Sequence, residues 1–117
     1  MEINLHSIPY FDSIRSILGE PRGVYASTVK HPAAPKLASS RTTAILDYDD
    51  DVRCCLSTNH HHTFGLDHQR SQIRIEGEQG AAIVSMGVNL NYPDGEPDWL
   101  QVTFDGGSWQ SVPLIGN

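Results

Sequence analysis

The apolar residues of this chain change their period at Gly19, and that change constrains the fold more than any other feature. From Ile3 to Leu18 they recur at helical spacing: Tyr10, Ile14 and Ile17 share a stripe, with Phe11 and Leu18 beside it. Ser13 and Ser16 lie off the stripe. Proline has no N–H and clashes with the carbonyl four residues back, so Pro9 belongs in a first turn, with Ser7 as the candidate cap. Gly19 is placed to end the helix in a left-handed conformation.

Beyond Gly19 the spacing is that of strands. Gly23 to Lys30 carries Val24, Tyr25, Thr28 and Val29, and Pro32 to Ser40 reads as a loop. Arg41–Tyr48 and Val52–Asn59 flank Asp49, Asp50 and Asp51, the spacing of a β-hairpin with an acidic turn. Gln72–Glu76 alternates, Gly77 and Gly80 bracket a turn, and Ala81–Met86 is a further apolar run. Tyr92–Pro97 is dense turn chemistry. Trp99–Phe104 places Leu100, Val102 and Phe104 on one side, and Asp105-Gly106-Gly107 turns the chain into Trp109–Leu114. One helix followed by about six strands predicts an α+β domain with an open, largely antiparallel sheet.

Length fits that plan, since 117 residues suit one domain. A net charge of −6 disfavours nucleic acid and anionic membrane as partners. Cys54 and Cys55 are neighbours, and neighbours on a strand point to opposite faces, so they read as reduced thiols and point to the cytoplasm. No run approaches the roughly 20 apolar residues of a membrane span.

The string HSIPYFDSIRSILGEPRGVYA, at 6–26, resembles the opening of the C-terminal domain in the glucose–fructose oxidoreductase, inositol dehydrogenase and MocA (Gfo/Idh/MocA) family. The matching residues are His6, Ser7, Asp12, Arg15, Leu18, Gly19, Glu20, Pro21 and Val24. Further on, SQIRIEGEQGAA resembles the family's glycine-bearing strand and turn, with Gly77 and Gly80 in place. LDYDDDVRCCLSTN fills the slot of two strands joined by an acidic turn.

The resemblance implies a single domain over 1–117 that binds substrate and pairs subunits, without its N-terminal Rossmann partner. It implies an NAD- or NADP-dependent parent acting on sugars, inositols or related polyols. No Gly-x-Gly-x-x-Gly occurs here, so the chain is expected to bind no cofactor itself. The family's catalytic lysine lies in the missing half. Where many active members carry an aspartate and a histidine, this chain has Leu5 and Pro9, which transfer no protons. That puts dehydrogenase chemistry in doubt even for a full-length protein.

The candidate catalytic residue is His6. It is four residues from Tyr10, and the two suit a substrate-hydroxyl site, set against a histidine that merely packs the helix start. His60 and His62 are further candidates for substrate binding. His60, His61, His62 and His68 suggest a metal, but consecutive strand residues alternate in direction and the cysteines lack ligand spacing, so no metal site is assigned. Asp12 and Arg15, three apart, and Gly19 are read as structural. Trp99 and Trp109 are read as core or interface residues. A homodimer through the sheet face is the expected assembly. Two other classes stay open: a non-catalytic binding or assembly module on the same fold, and a small metal-binding β protein.

Overall fold

The computed structural model describes residues 7–33, 35–36, 40–49, 51–59, 70–87 and 97–115. The architecture is α+β, and the chain divides into two compact units, Met1–Thr63 and Phe64–Asn117.

The first unit holds the helix α1 (Ile8–Leu18) and the strands β1 (Gly23–Val29), β2 (Arg41–Asp47) and β3 (Arg53–Asn59). Pro9 lies in the first turn, where its missing N–H costs nothing. Ser7 occupies the cap position but makes no capping bond; its Oγ instead donates to Thr58 Oγ1 at 3.4 Å. Gly19 ends the helix with φ 79° and ψ −161°. That combination lies outside the ordinary left-handed well and is open essentially to glycine alone.

The three strands form an antiparallel meander in which Thr28, Thr42 and Thr58 align, as do Val24, Leu46 and Cys54. Period-two alternation puts Thr42, Ala44 and Leu46 on a buried face, with Cys54, Leu56 and Thr58 half-buried beside them. Helix α1 is fastened to this face at both ends, through Ser7 and through the Tyr48 hydroxyl, which donates to the Gly19 carbonyl at 3.1 Å. Tyr10, Phe11 and Ile14 are half-buried, while Ile17 is 64% exposed. The covered part of the apolar stripe therefore ends at Ile14. The acidic turn is held by Asp49, whose Oδ1 accepts from the amides of Asp51 and Val52 at 3.0 Å each.

The second unit holds β4 (Arg70–Gly77), β5 (Gly80–Gly87), β6 (Trp99–Phe104) and β7 (Gln110–Val112), again an antiparallel meander. Ile73, Val84, Leu100 and Val112 align across it, as do Ile75, Ala82 and Val102. The centre of one face is thus apolar, with Ser71 and Gln110 at its margins. On the other, Arg74 and Glu76 form an exposed ion pair, and Ser85 is buried opposite Trp99. Trp109 lies just before β7 and is 41% exposed.

A single open sheet of about six strands was the expectation from sequence. The described residues instead form seven strands in two sheets, of three and four strands. Each strand pairs with a sequence neighbour, and the one consecutive pair without a ladder is β3 and β4. Among the described residues, no helix is long and apolar enough to cross a membrane.

Candidate functional site

The densest set of polar interactions surrounds the end of α1. Arg15, on the last turn, donates through Nε to Glu20 Oε1 at 3.0 Å and contacts the same oxygen through Nη2. Its Nη1 lies 3.4 Å from Asp12 Oδ1. The Gly19 amide donates to the Arg15 carbonyl at 2.8 Å, and Tyr48 takes the Gly19 carbonyl. Gly19 turns the chain so that Glu20 reaches back along the helix. A step further, Arg22 Nη2 meets Asp47 Oδ1 at 3.0 Å, tying the start of β1 to the end of β2.

The electrostatics follow from these partners. The hydrogen bond with Arg15 holds the Glu20 carboxyl below its usual range, and the same bond raises the Arg15 guanidinium. Burial pushes the Tyr48 phenol up, and the neighbouring Cys54 and Glu20 push it in the same direction. Burial also raises the Cys54 thiol, with Cys55 adding to it. This network orders a helix terminus and gives the ends of β1 and β2 a fixed geometry.

Of the residues the sequence singled out, Tyr10 lies on the covered part of α1, and Asp12, Arg15 and Gly19 meet at its end. His6, His60 and His62 lie outside the described residues, as do His61, His68 and Leu5. Among the described residues, no group of three or more His, Cys, Asp or Glu side chains is arranged to hold a metal ion. Cys54 is half-buried and Cys55 is exposed, both as free thiols.

Sequence reasoning missed Glu20 as the principal partner of Arg15 and Tyr48 as the latch on Gly19. Glu20 sat in the quoted motif, but it lies past the helix, where i,i+3 and i,i+4 spacing no longer applies. It also missed Arg41, the half-buried arginine that opens β2. Comparison with known proteins finds no protein family, curated sequence or solved structure that matches the chain.

Proposed function

We propose that this chain is the C-terminal domain of an NAD- or NADP-dependent oxidoreductase of sugars, inositols or related polyols, where it walls the substrate cleft and pairs subunits. The observation that carries the reading is the interlocking of the motif residues. Asp12, Arg15, Gly19 and Glu20 carry the resemblance to the Gfo/Idh/MocA family in sequence, and they form one network in space. The residues that carry the resemblance thus act together at the end of one helix. The order of a glycine-ended helix, antiparallel strands and a Gly77–Gly80 hairpin is compatible with the same reading.

In this reading His6, Tyr10, His60 and His62 contribute to the substrate cleft, with His6 as its proton carrier. The start of α1 presents a buried Ser7 turned to Thr58 and a proline, not a glycine loop with open amides. In this reading the cofactor belongs to a Rossmann domain outside this chain, and the reaction is not routed through the residues at hand. Paired free thiols on one strand favour a reducing compartment, the cytoplasm.

A second reading, a non-catalytic binding or assembly module, is favoured by one feature: Pro9, in the first turn of α1, carries no proton at the family's histidine position. One experiment separates the two. The coding sequence upstream of Met1 is read for a Rossmann fingerprint, and the resulting full-length protein is assayed with both nucleotides against a panel of inositols and aldoses. Reduction of nicotinamide by at least one polyol is the expected result. Polyol binding without turnover supports the module, and an upstream sequence without a Rossmann domain defeats the oxidoreductase reading. The isolated chain is expected to show no calorimetric binding of NAD or NADP.

A further inference from the structure

Half of the chain's eight lysines and arginines fall in one stretch without a carboxylate: Arg22, Lys30, Lys36 and Arg41, between Glu20 and Asp47. In a chain of net charge −6, that segregation makes a local positive field. The fold then treats the four differently. Arg22 is drawn to Asp47. The register sets Val29 opposite Arg41 and Arg41 opposite Asn59, so Lys30 and His31, which follow Val29, stand at the same end of the three-stranded sheet as Arg41.

That end is firmly closed. The Ser40 amide donates to the Val29 carbonyl at 3.1 Å, and the His31 amide donates to Ser40 Oγ at 2.9 Å. Ser40 is fully buried. His31 Nδ1 accepts from the Ala33 amide at 3.0 Å.

Arg41 differs from the other arginines whose side chains are described. Arg15, Arg22 and Arg74 each meet a carboxylate, and Arg53 donates to the Asp49 carbonyl. Arg41 is half-buried, and its Nε is buried with no acceptor. A guanidinium cannot escape this by losing its proton. A buried donor left without a partner is unfavourable, and such a group in a folded protein calls for an acceptor. The complement of a planar guanidinium is an oxyanion that presents two oxygens together.

We propose that this end of the sheet binds a small oxyanion, a carboxylate or phosphoryl group, with Arg41 as the principal donor and Lys30 adding positive charge at the same end. The proposal stands on Arg41 and its surroundings and does not depend on the oxidoreductase reading.

The full chain is titrated with sodium phosphate and, separately, with sodium acetate, at ionic strength held constant with chloride, while backbone amide resonances are followed. One of the two anions is expected to give saturable shifts at Ser40, Arg41 and Asn59. In Arg41→Gln its affinity should fall about tenfold or more. Arg41→Lys keeps the charge but loses the fork, and should fall between. Thermal unfolding of both variants in chloride alone establishes that the fold is intact. Arg74→Gln, in the other sheet, should bind as the parent does. Saturation by phosphate assigns a phosphoryl source, and saturation by acetate a carboxylate. The proposal is overturned by shifts that do not saturate or that chloride reproduces, or by a folded Arg41→Gln chain that binds with unchanged affinity.

Discussion

Tyr48 is a donor kept in its protonated form by its surroundings. Burial disfavours the phenolate, and the carboxylate of Glu20 repels it, so the hydroxyl remains available to the Gly19 carbonyl. Removing that oxygen in Tyr48→Phe preserves the ring's packing and deletes one hydrogen bond. The expected loss is about 1 kcal/mol in urea denaturation, because Gly19 is exposed and water replaces the lost donor. An unchanged midpoint would remove Tyr48 as the latch. Because the folded-state phenol titrates above its ordinary value, its contribution is fully present below the unfolded pKa and is lost as pH rises through the folded one. Cys54 has the same sign. Its thiolate is disfavoured by burial, whereas Cys55, on the opposite face of β3, is exposed. A thiol reagent should therefore modify the folded chain in two phases, with Cys55→Ser removing the fast one. A single phase of two equivalents at neutral pH would contradict the assigned faces.

At the scale of elements, the hairpin between β4 and β5 distinguishes two glycines that look alike in sequence. A Cβ on Gly80 would stand 2.4 Å from the Thr103 carbonyl oxygen, whereas one on Gly77 meets nothing nearer than 3.9 Å. Gly80→Ala must push β6 from β5 and is expected to destabilise by about 2–3 kcal/mol. Gly77→Ala should change stability by no more than about 0.5 kcal/mol. Thermal unfolding of the two variants side by side decides it; equal effects would place β6 elsewhere. This pair also marks what sequence can convey. The hairpin was legible, because glycines bracket two turn residues between alternating runs, and β2 was legible because Arg41–Tyr48 and Val52–Asn59 flank an acidic turn. The division into two sheets was not, since alternation specifies which side chains share a face but not which sheet a strand joins. Asp12 and Arg15 were legible from helical spacing. Glu20 was not, because its reach depends on the backbone of Gly19. Arg41 was hidden for a different reason: its significance lies in the absence of an acceptor, which only neighbours in space reveal.

For the whole molecule, the decisive feature is the apolar face of the four-stranded sheet. Register places Ile73, Val84 and Leu100 in one row and Ile75, Ala82 and Val102 in the next. Phe104, one row further along β6, is 64% exposed, and Ile75 is 46% exposed. Such a face gains by being covered, since apolar area removed from water contributes about 25 cal/mol per Å². In the proposed parent, pairing of subunits provides the cover. A two-fold pair is the commonest arrangement, because one patch then serves both partners. The chain is therefore expected to sediment at equilibrium, at micromolar concentration, as twice its 12.9 kDa mass. Phe104→Glu places a charge in that patch at a position already exposed in the chain, so it should shift the equilibrium to monomer without loss of secondary structure by circular dichroism. The unsubstituted chain found only at 12.9 kDa would rule out the pairing. A dimer that Phe104→Glu leaves intact would move the interface off this face.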